Sequence, residues 1–234
     1  MSFTERSIPL FGAGGLEKLN NASVIVFGAG GVGAACIEAL ARCGVGRIGI
    51  VDCDTVSESN INRQLIATSD TVGKKKTESA KSRVLSINPE CAVDIFDLFY
   101  SAESAVEVDL SEYDYIADCI DTVSAKLHLI KTANALGVPV ISAMGTGNRL
   151  DMSCITVKDI YSTEGCPLAR VMRKELRRIG VESLKVVCSD EKAGDCFDGR
   201  NENGRATPSS AVFVPVAAGL RMAQEIVRYI VFGE

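Results

Sequence analysis

Gly28-Ala29-Gly30-Gly31-Val32-Gly33 joins a run of apolar, β-branched residues at 23–27 to a stretch of helical periodicity at 32–42, and few folds accommodate that junction. A glycine-rich turn from strand to helix lets backbone N–H groups meet phosphate oxygens, and the helix start adds positive partial charge. Gly28 allows the tight turn, Gly30 the close approach with Gly31 beside it, and Gly33 the packing of helix on strand. Asp52 follows about 20 residues later at the end of a second apolar run, where a carboxylate accepts hydrogen bonds from ribose hydroxyls. NAD, FAD and ATP all satisfy this much.

Strand-like and helix-like segments alternate through the first two thirds of the chain, which predicts a parallel sheet with crossover helices. The expected strands are 23–27, 47–51, 92–96, 115–120 and 140–143, and the expected helices 32–42, 74–87 and 125–136. Beyond them the rhythm changes to strands at 154–157 and 184–188 around a helix at 168–179, with a closing helix at 215–232. The fold class is therefore α/β: a Rossmann-like, mostly parallel sheet with crossover helices, extended by antiparallel strands in the C-terminal part. One domain, 1–234, is expected, with a nucleotide-binding part at 1–147 and a substrate-binding part at 148–234. The Gly-, Asp- and Asn-rich segment 190–208 reads as a mobile active-site loop or a disordered one.

The net charge of −5 gives no overall call for nucleic acid. Nine cysteines include no Cys-x-x-Cys pair, which disfavours both a disulfide framework and a zinc site and suits reduced thiols. No uncharged run approaches the roughly 18 residues of a membrane span, and no signal-like apolar core opens the chain. A cytoplasmic protein away from membranes is the expectation.

The polar run after Asp52 separates the nucleotides. Asp54 is followed by Ser59, Asn60, Asn62, Arg63 and Gln64, then by Lys74-Lys75-Lys76 at a helix start, where a nicotinamide enzyme would pass directly into its next crossover helix. Arg63 and Lys76 can neutralise a triphosphate. Asp121, beyond the fourth strand, stands where ligands of open α/β sheets collect, and a carboxylate there suits Mg²⁺ on phosphates. ATP is the expected nucleotide.

These elements, with Asp118-Cys119-Ile120-Asp121, resemble the ATP-dependent adenylating enzymes related to the ubiquitin-activating enzyme, which include activators of sulfur-carrier proteins. The resemblance implies that Arg63 and Lys76 contact ATP phosphates, Asp52 the ribose and Asp121 the Mg²⁺ ion, making Arg63, Lys76 and Asp121 the catalytic set. It also implies a homodimer in which Arg6 reaches the partner's nucleotide, and a phosphate contact from Lys126, where many relatives have Arg. The stretches 142–151, 166–177 and 184–189 are similar to the tRNA threonylcarbamoyladenosine dehydratase branch. That branch activates a threonyl carboxylate on a modified adenosine of the anticodon loop, and the activated group cyclises with loss of AMP. A sulfur-relay or redox partner protein belongs to the same expectation. The rivals are activation of a ubiquitin-like sulfur carrier and an NAD-dependent oxidoreductase.

Other residues carry plainer readings beside sharper ones. Cys166 at a helix start is either packing material or a nucleophile, and Cys188 and Cys196 are weaker candidates of the same kind. His128 reads as a helix residue more readily than as a general base. Arg170, Arg173, Lys174, Arg177 and Arg178, with Lys185 nearby, form either a solvated helix face or one that meets tRNA phosphates.

Overall fold

The computed structural model describes residues 3–194 and 208–234, so most of the expected loop 190–208, and Cys196 with it, lies outside the described residues. The elements are α1 (Ile8–Asn21), β1 (Ser23–Phe27), α2 (Gly31–Arg42), β2 (Arg47–Val51), α3 (Lys76–Ile87), β3 (Ala92–Phe96), β4 (Tyr115–Asp118), α4 (Val123–Leu136), β5 (Val140–Ala143), β6 (Ile155–Asp159), α5 (Pro167–Arg178), β7 (Lys185–Ser189) and α6 (Phe213–Phe232). One seven-stranded sheet runs in the order β3-β2-β1-β4-β5-β7-β6. The expected antiparallel extension is confined to the outer edge: β7 pairs parallel with β5, and only β6 runs against its neighbour. Among the described residues no helix is long and apolar enough to cross a membrane.

Both faces of the sheet are covered, as a parallel sheet requires. Val24 and Val26 of β1 point into a core with Ile37 and Leu40 of α2 and Met222 and Ile226 of α6. Ile25 and Phe27 point the other way, against Leu129 and Ala133 of α4. A third cluster joins Met172 and Leu176 of α5 to Val186 of β7. Burying each such side chain contributes roughly 1.5–3 kcal/mol.

Helices α2 and α6 cross so closely that a Cβ on Gly219 would stand 2.2 Å from the Val32 carbonyl oxygen and 2.7 Å from Ala35 Cβ. Gly219→Ala must therefore push the two helices apart, and we expect it to lower stability by about 1–3 kcal/mol in urea denaturation. An unchanged midpoint would show that the crossing has slack.

The topology also makes the site. From β1 the chain moves to β2 on one side and later returns to β4 on the other, so the connections part at the carboxyl end of β1, where open α/β sheets bind ligands. Gly28 turns there with φ of +90°, and a Cβ on Gly33 would lie 1.7 Å from the Gly28 carbonyl oxygen. Only glycine allows α2 to start this close to the strand.

Candidate active site

A cavity of about 570 Å³ opens over this turn, with Gly28, Gly30 and Gly31 on its floor. Gly33 lies beneath, in the helix–strand contact. Asp52 stands at the end of β2, and its carboxylate accepts the Ala29 N–H at 2.7 Å and the Asp54 N–H at 2.8 Å. It thereby ties the glycine turn to β2 and keeps free lone pairs on the cavity side.

Lys76, the first residue of α3, is buried and reaches the same wall. Its ammonium lies 2.6 Å from Asp54 and 3.9 Å from Asp52. The hydrogen bond from Lys76 is the main cause that holds the Asp54 carboxyl below its ordinary range. Asp54, expected from the sequence as a nucleotide contact, serves here as a counter-ion to Lys76.

The segment between β2 and α3 supplies the opposite wall. A 3-10 turn at Glu58–Asn60 forms because the Asn60 side chain accepts the Ser57 N–H at 3.1 Å, and it aims the next residues inward. Arg63 Nη1 donates to the Ser59 carbonyl at 2.9 Å and to Asn62 Oδ1 at 2.7 Å. Both acceptors are neutral, so among the described residues Arg63 has no counter-ion, and its charge is available to a ligand. Asn60, Arg63 and Gln64 line the cavity, whereas Ser59 stands behind them as the support of Arg63. Gln64 is buried with Oε1 unpartnered.

Asp121 lies on the loop after β4, exposed, and among the described residues only the Thr122 hydroxyl donates to it, at 3.3 Å. That loop is fixed from below. Cys119 N–H bonds to the Phe27 carbonyl at 2.8 Å, and Ile120 N–H to Asp118 at 3.2 Å.

Lys126 departs from its expected phosphate contact. It is 0% exposed, lies outside the cavity lining, pairs with Asp118 at 2.9 Å and donates to the Ile120 carbonyl at 2.9 Å. Four residues beyond the loop, on the first turn of α4, its side chain points under Asp121 rather than over it. Arg6 is exposed in a 3-10 turn at Glu5–Ser7, away from this cavity.

Leu98, Phe99 and Tyr100, past the carboxyl end of β3, add an apolar wall that the sequence reading left out. The signal is positional, since residues that follow the parallel strands of this sheet gather at the same edge.

A second cavity, of about 370 Å³, adjoins the first and shares Val32, Cys119, Ile120, Asp121 and Thr146 with it. Cys166 is buried on its wall as the residue before α5. His128, half-buried, meets the Tyr100 hydroxyl at 3.2 Å through Nδ1 and lies outside both linings. Burial raises the Cys188 thiol pKa, which disfavours a thiolate there.

Arg170, Lys174 and Arg178 of α5 project away from its buried Ala169, Met172 and Leu176, while Arg173 flanks that face. Arg173 turns back to the Thr163 carbonyl, Arg177 lies over the Tyr161 ring at 4.8 Å, and Arg178 pairs with Glu175 at 2.8 Å. Arg170 and Lys174 are exposed and make no ion pair among the described residues. Of the expected basic face, these two are the least committed charges.

A cradle of glycine amides, two cations and an exposed carboxylate can hold a polyphosphate and stabilise charge that develops on it. The comparisons with known proteins agree in kind. The ThiF family matches residues 4–232. A tRNA threonylcarbamoyladenosine dehydratase of Bacillus subtilis is 40% identical over 166 residues, which are 66% of this chain and 65% of that protein. Its counterpart in Haemophilus influenzae is 41% identical over 106 residues, 45% of this chain and 41% of that protein. The match thus spans less than two thirds of either curated relative. Among solved structures, the Escherichia coli tRNA N6-threonylcarbamoyladenosine dehydratase in complex with AMP is similar with a TM-score of 0.88 and 30% identity, over 96% of this chain and 92% of that one. The same enzyme in complex with ATP gives a TM-score of 0.86 at 30% identity, with the same coverage.

Proposed function

Because the chain belongs to the ThiF family, we propose that it uses ATP to adenylate a carboxylate, and that this carboxylate is the threonyl group of threonylcarbamoyladenosine in the tRNA anticodon loop. Pyrophosphate leaves first, and AMP leaves when the activated group cyclises. The observation that carries the reading is the convergence of Arg63, Lys76 and Asp121 on one cavity above the glycine turn. The tRNA substrate is supported by the relatives' names and by the uncommitted Arg170 and Lys174 on α5.

A free carboxylate is a poor acyl donor because oxide would have to leave, whereas an acyl-adenylate releases AMP. Attack at the α-phosphorus places charge on phosphate oxygens. Arg63, with only neutral partners, and Lys76, buried beside Asp54, are placed to stabilise that charge. The unpartnered Gln64 Oε1 offers an acceptor to a nucleotide amino or hydroxyl group. Asp121 fits Mg²⁺, which takes one or two carboxylates with phosphate oxygens, and the ion would supply Lewis-acid neutralisation there. Ring closure uses a nucleophile of the substrate itself, so proximity serves where a catalytic thiol otherwise would.

The remaining parts of the reading concern organisation. Residues 1–147 hold the nucleotide and 148–234 the acyl substrate within one domain, which the single continuous sheet supports. The protein works in the cytoplasm as a homodimer, with Arg6 directed to the partner's nucleotide and a sulfur-relay or redox protein as a further partner. Exposed Phe213 and Leu220, two turns apart on α6, and Met152 on the 3-10 turn packed beside it supply apolar surface for such a dimer.

Incubation with ATP and tRNA, with and without the threonylcarbamoyl modification, tests the reading. We expect AMP release only with modified tRNA, its loss on chelation of Mg²⁺, and a product nucleoside lighter by one water in mass analysis. AMP release that ignores the modification would overturn it, and adenylation of a ubiquitin-like carrier in its place would select the sulfur-carrier rival.

A further inference from the structure

We infer that Arg149 is the anchor for the acyl substrate's carboxylate, in the cavity beside the nucleotide cavity. The identity of the ligand rests on the adenylation reading; the anion site itself rests on the geometry around Arg149.

Arg149 is 6% exposed and lines the second cavity. Its Nε donates to the Glu191 carbonyl at 3.1 Å, and Nη1 to the carbonyls of Gly145 at 2.7 Å and Gly147 at 3.2 Å. Nη2 is buried with no hydrogen-bond partner among the described residues. Among the described residues no carboxylate pairs with this guanidinium. Glu191, whose carbonyl accepts from Nε, directs its carboxylate to the N–H groups of Leu150 at 3.0 Å and Asp151 at 2.9 Å. A buried charge without a counter-ion is unfavourable unless something else supplies one. A ligand carboxylate does so, and Nη2, the nitrogen that the backbone carbonyls leave unengaged, can donate to one of its oxygens.

The turn that carries Arg149 is built before any ligand arrives. Asn148 sits at φ of +58°, in the left-handed region that Asn tolerates better than most residues. Its backbone N–H and side-chain oxygen both bond to Ser209, at 2.8 and 2.7 Å. Helix α5, 12 residues long, starts at the same cavity after Cys166, adding the partial positive charge of its N-terminus.

Position connects the anchor to the chemistry. Arg149 Nη1 bonds to the Gly145 carbonyl, and the next residue, Thr146, belongs to the wall that both cavities share with Asp121. A carboxylate held at Arg149 keeps one oxygen on the guanidinium. The other forms the bond to the α-phosphorus as the bond to pyrophosphate breaks, and the pyrophosphate takes that electron pair. Cys166 on this reading is a wall of the substrate cavity rather than a nucleophile.

A purely structural Arg149 would staple the 145–149 turn to Glu191 and show no preference for charge in a ligand. The experiment is calorimetric titration of the full chain, with a non-hydrolysable ATP analogue present, by threonylcarbamoyladenosine nucleoside and by its carboxamide. We expect the acid to bind about 10- to 100-fold more tightly than the amide. Arg149→Met should abolish that preference while affinity for the ATP analogue stays within about twofold, and Arg149→Lys should restore part of it. An unmodified protein that takes acid and amide equally, or takes neither, overturns the inference without any variant. So does an Arg149→Met protein that keeps the preference. The two failures are distinguishable, since an acid preference that depends on Arg149 with no AMP released from modified tRNA counts against the adenylation reading alone.

Discussion

Arg63→Ala is expected to lower kcat/KM for AMP release by about 100- to 1000-fold, about 2.7–4 kcal/mol of transition-state stabilisation. The thermal midpoint should stay within a few degrees of the unmodified protein. The contrast follows from what Arg63 touches. Its Nη1 bonds only to the Ser59 carbonyl and to Asn62 Oδ1, and it is half-buried on the cavity wall. Removing it leaves no buried charge unpaired, so the fold loses little, and substitutions of this kind usually shift stability by about 0.5 kcal/mol or less. What disappears is the cavity-wall cation that the proposed function assigns to the phosphates. Arg63→Lys should recover only part of the rate, because an ammonium cannot reproduce the planar fork. Steady-state AMP release with modified tRNA and a thermal melt check both halves. If KM for ATP rises while kcat is unchanged, Arg63 binds the ground state only; a loss below about threefold would remove it from the phosphates altogether.

Much of the scaffold was legible because its signals are local. The runs that became β1, β2, β3 and β5 are largely apolar, the first three closed by Gly or Asp and the last opened by Pro139, and their ends in the structure are those of the runs. Helix α1 was not legible. Pro9, Gly12, Gly14 and Gly15 lie inside it, Gly12 breaks it into two segments at φ of 71° and ψ of 163°, and the segment that carries Leu19 packs on α6, some two hundred residues away. The site shows the same division. Asp52, Lys76 and Asp121 could be placed together because each follows a strand or opens a helix of one sheet, and Arg63 because it lies on the connection between β2 and α3; topology gathers such positions at one edge. Which partner each charge takes depends on rotamers and burial across that edge. The pairing of Lys76 with Asp54 and the submerged Lys126 are facts of that kind, and neither spacing nor composition contains them.

Lys126→Met should destabilise the protein by about 3–5 kcal/mol, although Lys126 meets no ligand cavity. Both Lys126 and Asp118 are 0% exposed, and their 2.9 Å contact is the only ion pair of either among the described residues. Removing the cation leaves a carboxylate with the Ser142 hydroxyl at 2.6 Å and the Ile120 N–H at 3.2 Å, which cannot replace a full positive charge. The double variant Asp118→Asn with Lys126→Met removes both charges, and buried pairs so replaced are often close to neutral. We therefore expect it to regain most of the lost stability, giving a strongly non-additive cycle in urea denaturation. A single variant that costs less than about 1 kcal/mol, or a cycle that adds, would show that water reaches the pair. The recovered double variant should still be a poorer enzyme. Lys126 Nζ also holds the Ile120 carbonyl at 2.9 Å, and Ile120 carries Asp121 into the cavity, so methionine frees the loop whose carboxylate is proposed to hold the metal. Its AMP release should demand more Mg²⁺ than the unmodified protein does at equal ATP. Stability regained without that change in metal demand would confine the pair to a structural part.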